Sequence, residues 1–190
     1  LGPKQIARGS GFSFSSRRGC PGPHGTPGLT MSTNGTSQRP MRASFVQMAE
    51  LVMPNDTNPY GTLSGGRLMH WVDLVGGMSA MRHSRQMVVT AAIDQVIFHA
   101  PIPEGFIVVL EAIVTCSGRT SMEVKVDVKG ENPVTGKVLH TTTARLVFVA
   151  LEGGVPVEIP QVVPETADEK ALHERASQRR KQRVRAQKAD

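Results

Sequence analysis

Residues 65–84 read GGRLMHWVDLVGGMSAMRHS, and the architecture turns on this segment. It holds no proline. Leu68, Met69, Trp71, Val72, Val75, Met78 and Met81 recur at spacings that predict a helix from Gly65 to about Ser84. They cover more than one stripe, so the helix is expected to be largely buried. Gly76 and Gly77 lie in its interior, where each costs roughly 1 kcal/mol against Ala, which points to close packing against another backbone. A helix apolar nearly all round needs more cover than one small sheet face provides.

The flanking sequence supplies that cover as strands. Residues 45–53 are free of Gly and Pro and read as a strand that Pro54 ends, before the turn formers of 55–61. After the helix everything reads as sheet. The strands expected there are 87–98, closed by Pro101 and Pro103, then 106–116, 121–129 and 138–151, the last following the turn at 132–136. Over 121–129 the alternation is strict, with Met122, Val124, Val126 and Val128 to one side and Glu123, Lys125, Asp127 and Lys129 to the other, the mark of a half-buried antiparallel strand. The order is one strand, one buried helix, then four strands. It predicts an α+β fold in which an antiparallel sheet curls around a long central helix and a symmetric partner covers the rest.

Composition agrees with a single domain. The chain has 190 residues, 39% hydrophobic but only 4% aromatic, so its core is aliphatic. No run approaches the roughly 18 apolar residues of a membrane span. Cys20 and Cys116 sit in unrelated contexts and form no disulfide framework, as expected of a soluble intracellular protein. The net charge of +6 divides into +5 over 1–40, −2 over 41–163 and +3 over 164–190. The expected core is thus slightly acidic, which argues against a nucleic-acid-binding domain.

Three regions follow. Residues 1–40 contain eight Gly and five Pro and read as a disordered extension. Within them Met31 offers a start, leaving 1–30 upstream. A transit peptide is the rival reading, opposed by the Gly and Pro content. Residues 41–163 form the domain, and 164–190 a charged helical tail. The basic run from Arg179 to Arg185 lacks interleaved aromatics and reads as a solvated helix end rather than a nucleic-acid contact.

The chemistry is narrowed first by what is missing. There is no Gly-x-Ser-x-Gly elbow, Walker loop, Gly-x-Gly-x-x-Gly or His-Glu-x-x-His, and the six His show no metal-ligand spacing. Cys116, in a strand, reads as inert core. What remains is the helix entry. Gly65 and Gly66 leave unpaired N–H groups where a ligand oxygen can approach closely, an arrangement able to hold an oxyanion. A flexible helix entry is the plainer reading. Asp73, flanked by Val72, Leu74 and Val75, is expected to be partly desolvated and hence more basic, suited to activating water or attacking directly. Its alternative is a structural bond to a neighbouring strand. Asn58 offers an amide donor, or simply forms a turn before Pro59. Gly118-Arg119-Thr120-Ser121 combines a turn, a cation and two hydroxyls.

Asp73 lies seven residues beyond Gly66, about 10 Å along a helix axis, whereas a base and an oxyanion donor each belong about 3 Å from the reacting carbonyl. One chain does not supply both. Two antiparallel copies of the helix do, so a site shared between subunits is expected.

Taken together, Pro54-Asn55-Asp56-Thr57-Asn58 with Gly61, Gly65-Gly66, Asp73, Val89-Thr90-Ala91, Phe98 with Pro101, Gly118-Arg119-Thr120-Ser121-Met122-Glu123-Val124, Phe148-Val149-Ala150 and Val163-Pro164-Glu165-Thr166 resemble the hotdog-fold acyl-CoA thioesterases, in particular the cytosolic acyl-CoA hydrolase branch. The resemblance covers about 42–170. It implies a hotdog fold, homodimers associating further as a trimer of dimers, cytoplasmic location, and hydrolysis of acyl-CoA to fatty acid and CoA. It implies that Asn58 and Asp73 are catalytic and come from opposite subunits, with Gly66 as oxyanion donor. Gly65, Ala91, Ala92, Ile93, Arg119, Thr120, Ser121 and Met122 would bind substrate. No metal and no cofactor is expected beyond the CoA carried by the substrate, because a thiolate of pKa near 8.5 leaves with little proton assistance. The basic tail would then attract anionic CoA over distance. Two other readings stand beside this one: a hydratase using His70 and Asp73 at i, i+3, and a non-catalytic acyl-CoA sensor on the same fold.

Overall fold

The computed structural model describes residues 37–186. The expected disordered extension and the start at Met31 therefore lie largely outside the described residues. The last four residues of the extension do not: after Ser37, Gln38–Pro40 form a short strand, β1, paired in parallel with β8, Gln161–Val163. The Gln161 N–H donates to the Ser37 carbonyl at 2.7 Å, so this segment has a backbone partner that its own composition does not reveal.

The remaining elements are β2 (Val46–Leu51), α1 (Gly65–Ser84), β3 (Met87–Phe98), β4 (Ile107–Ser117), β5 (Ser121–Glu131), β6 (Val138–Glu152), β7 (Val155–Pro156) and α2 (Ala167–Ala186). The main sheet is antiparallel in the order β2-β4-β5-β6-β3, with β7 added on β6. Val114, Val124 and Leu146 stand side by side across β4, β5 and β6, all fully buried. They and their neighbours form the aliphatic face against which α1 packs. The curled antiparallel sheet and long helix are those of the expected α+β hotdog architecture.

Helix α1 starts where the sequence places it. The Ser64 hydroxyl caps it, accepting the Arg67 N–H at 3.3 Å, and it ends at Arg85, whose φ of 59° is left-handed. Leu68, Trp71, Val72, Val75, Ser79, Ala80 and His83 are buried. The expectation of burial nearly all round is not met within one chain. His70, Asp73 and Leu74 form an exposed stripe, and Leu74 is 46% exposed. Gly76 does permit a close approach, but of a ring rather than a backbone: a Cβ there would lie 3.1 Å from Phe148.

His83, fully buried, hydrogen bonds through Nε2 to the Pro160 carbonyl at 2.9 Å, while Nδ1 has no partner among the described residues. Burial lowers its pKa from the ordinary 6.5. The Pro160 bond opposes that shift, and the charge of Arg39 adds to it.

The C-terminal stretch is a helix, but a docked one. A reciprocal cap starts it, with Glu169 accepting from the Glu165 and Thr166 N–H groups and Thr166 Oγ1 accepting the Glu169 N–H. Ala176 is fully buried, and His173 Nδ1 bonds the Thr115 carbonyl at 2.9 Å. Cys116 is buried beside Ser177. Glu123, expected on the polar face of β5, is 2% exposed because α2 covers it: Arg179 Nη2 reaches Oε1 at 2.6 Å, and Arg183 reaches Oε2 at 3.0 Å. The run from Arg179 is thus not simply a solvated end.

Candidate active site

The loop before α1 is braced from several sides. Asp56, 7% exposed, accepts the Met53 N–H at 3.1 Å and pairs with Arg67 Nε at 2.7 Å, while its carbonyl accepts the Ser64 N–H. Arg67 also lies 5.4 Å from the Trp71 ring. The residue pattern marked Asp56 only as a turn former. Its role in tying loop to helix needs the fold.

Asn58, half-buried, sits in this loop. Its Oδ1 accepts the N–H groups of Tyr60 (2.9 Å) and Thr62 (3.3 Å), and its Nδ2 donates to Thr62 Oγ1 at 3.0 Å. The turn-forming role is therefore real. It also fixes the amide so that one of the two Nδ2 protons stays free to donate. The Gly65 and Gly66 N–H groups have no partner among the described residues, since the Ser64 hydroxyl and carbonyl take those of Arg67 and Leu68. A cleft of about 390 Å3 opens here, lined by Thr62, Gly65, Leu68, Phe98 and the chain from His99 to Ile102.

Asp73 differs from expectation. It is exposed, so this chain alone does not desolvate it. The helix leaves it outside the buried core. It does bond a neighbouring strand: Thr90 Oγ1 on β3 donates to Asp73 Oδ1 at 2.5 Å. Thr90 was not among the expected site residues. Only the pairing of helix and strand makes it the partner of Asp73.

The edge of β3 that faces away from β6 pairs with no described strand. Ile93 and Phe98 on β3 are 48% and 55% exposed, and the register puts them on the same face of the strand as Thr90, an apolar surface on the side of Asp73.

A second cleft, about 250 Å3, gathers Ala91, Ala92, Thr120, Ser121 and Met122 with Glu123, Arg180 and Arg183. Sheet register brings these segments together, since Ser121 pairs with Val149 on β6 and a bulge in β3 falls at Ala91. Ile93 is not among the lining residues. Arg119 lines an adjoining cleft of about 370 Å3 with Ser117, Gly118, Gln161 and, again, Arg180. His70 is exposed. Among the described residues no group of three or more His, Cys, Asp or Glu is placed to hold a metal ion, and no helix is long and apolar enough to cross a membrane.

Residues 60–137 match the thioesterase superfamily model. An uncharacterized acyl-CoA thioester hydrolase of Bacillus subtilis is 45% identical over 143 residues, 75% of this chain and 83% of the relative. The human cytosolic acyl coenzyme A thioester hydrolase is 34% identical over 140 residues, 71% of this chain, which spans only 37% of that longer protein. Among solved structures, an apo-hexameric acyl-CoA thioesterase superposes with a TM-score of 0.76 at 40% identity, covering 79% of this chain and 97% of that one. An acyl-CoA hydrolase of Staphylococcus aureus, solved with butyryl-CoA and CoA, gives a TM-score of 0.71 at 33% identity, covering 80% and 96%. Asn-to-Ala, Asp-to-Ala and Thr-to-Ala variants of the S. aureus enzyme have also been solved. Their replaced residues stand fifteen and seventeen positions apart in chain order, the spacings of Asn58, Asp73 and Thr90 here.

Proposed function

The chain belongs to the acyl-CoA thioester hydrolases of the thioesterase superfamily, and on that premise we propose that it cleaves fatty acyl-CoA in the cytoplasm, with Asp73 as base or nucleophile and the Gly66 N–H and Asn58 amide holding the oxyanion. The observation that carries this reading is the helix entry: two unpartnered backbone N–H groups, at Gly65 and Gly66, beside a loop that fixes the Asn58 amide nitrogen as a donor. Such donors stabilise charge that develops on a thioester oxygen during attack. Thr90 orients the Asp73 carboxylate by donating to one oxygen, leaving the other to take a proton from water.

The site is shared between two chains. Asp73 and Gly66 are about 10 Å apart along one helix, and the outward stripe of α1 with the unpaired β3 edge offers the surface for a twofold partner. The same surface would desolvate Asp73. A trimer of such dimers is the assembly we infer, in keeping with the hexameric state of the solved relative. The thiolate leaves with little help, so no cofactor is called for beyond the CoA of the substrate.

Thiol release from acyl-CoAs of increasing chain length, wild type beside Asp73→Ala, tests the proposal. Turnover that collapses in the variant supports it. Binding of acyl-CoA with no turnover at any length would favour a sensor and make Asp73 structural.

A further inference from the structure

Three arginines on one turn of α2 have different fates. Arg179 and Arg183, four residues apart on one helix face, both hold Glu123, a carboxylate 1% exposed that also accepts from Thr115 Oγ1 at 3.2 Å. Arg183 additionally pairs with Asp94, which lies at an irregularity in β3. These contacts pin α2 to the sheet. Arg180, one residue on, has no carboxylate partner among the described residues. It lies against Gly118 so closely that a Cβ there would fall 2.5 Å from Nη2 and 2.8 Å from Nε.

That placement puts one arginine on the wall of two clefts at once. On one side are Thr120 and Ser121, on the other Arg119 and Gln161. The nearby carboxylates do not compete for it. Glu123 and Asp94 are already neutralised, and Glu158 makes only a loose 3.7 Å pair with Arg119, both being about three-quarters exposed. The balance around the Gly118–Ser121 turn is positive, with hydroxyl donors beside a planar guanidinium fork. That combination matches phosphate.

We propose that Arg180, carried on the docked C-terminal helix and seated over Gly118, grips the phosphates of the nucleotide end of CoA. This rests on the hydrolase reading above and extends it by making α2 part of the substrate site. The acyl-pantetheine arm carries no phosphate, so Arg180 discriminates between a thioester attached to the nucleotide and the same thioester without it.

The test uses Arg180→Ala and Gly118→Ala. The second variant keeps the arginine but displaces its guanidinium. Binding of CoA and of adenosine 3′,5′-bisphosphate is measured by calorimetry, and KM and kcat are measured with acyl-CoA and with the matching S-acyl-pantetheine. The expected result is about tenfold weaker binding of both phosphate ligands and an equal rise in KM for acyl-CoA, the factor one charge-assisted hydrogen bond is worth. KM for S-acyl-pantetheine and both kcat values stay unchanged. Unaltered CoA affinity in Arg180→Ala, or equal losses with both thioesters, overturns the proposal. Wild type that binds the bisphosphate but releases no thiol from any acyl-CoA would instead sink the hydrolase reading and leave this phosphate site standing.

Discussion

Combining Asp73→Asn and Asn58→Ala in one dimer asks whether two chains build each site. A base and an oxyanion donor that serve one carbonyl each lie about 3 Å from it, so they are separated by at most about 6 Å. Within one chain the seven residues from Gly66 to Asp73 span about 10 Å, too far by about 4 Å. A partner helix running antiparallel brings its own Gly66 end, with its Asn58 loop, toward Asp73. Alone, Asp73→Asn loses the base and is expected to fall by about 10²–10⁴-fold. Asn58→Ala loses an oxyanion donor, worth about 10²–10³-fold. In a mixed dimer one site carries both lesions and the other carries neither. Random exchange makes half the dimers mixed, so about a quarter of wild-type turnover returns in the unsorted mixture and about half in the isolated heterodimer. The assay is thiol release after co-expression of the two variants with different affinity tags, the heterodimer being isolated by sequential capture. A verified heterodimer no more active than its parents would refute the shared site.

Other predictions probe the surroundings. Thr90→Val keeps shape but removes the hydroxyl that holds Asp73. It is expected to lower kcat about tenfold with KM unchanged, the size of one charge-assisted bond, and Thr90→Ser should restore it. Gly76→Ala gains helix propensity of about 1 kcal/mol but drives a Cβ to 3.1 Å from the buried Phe148 ring. Overpacking costs about 1–3 kcal/mol, so chemical denaturation should show a net loss, and a stabilised variant would contradict the contact. His83 has a folded pKa below its unfolded 6.5. The unfolded chain therefore takes up the proton first, and stability is lost as pH falls below about 6.5. Urea midpoints between pH 7.5 and 5 should decline in wild type and flatten in His83→Gln. Equal slopes would show that His83 is not the group responsible.

Much of this was legible residue by residue. The helix bounds, the bare Gly65 and Gly66 amides and the succession of strands along the chain follow from local spacing, because each depends on neighbours a few positions away. The fate of Asp73 did not. Sequence context placed it among Val72, Leu74 and Val75, yet whether those neighbours bury it depends on which way the helix is rotated against the sheet. Here Val72 and Val75 are buried while Leu74 and Asp73 face outward. Glu123 misled for the same reason in reverse, since strict alternation assigned it to solvent and α2 then covered it.

By itself the sequence determined the α1 helix and its bounds, the antiparallel strands that pack on it, the aliphatic core and the motifs of an acyl-CoA hydrolase. Periodicity and turn chemistry are local properties and survive in any chain that keeps them. Only the tertiary structure decided that Thr90 holds Asp73, that Asp56 ties its loop to Arg67, and that Arg179 and Arg183 close on Glu123 to set Arg180 over Gly118. These pairs lie from 11 to 62 positions apart in the chain. No local rule brings such residues within bonding distance, and burial of the shared core does.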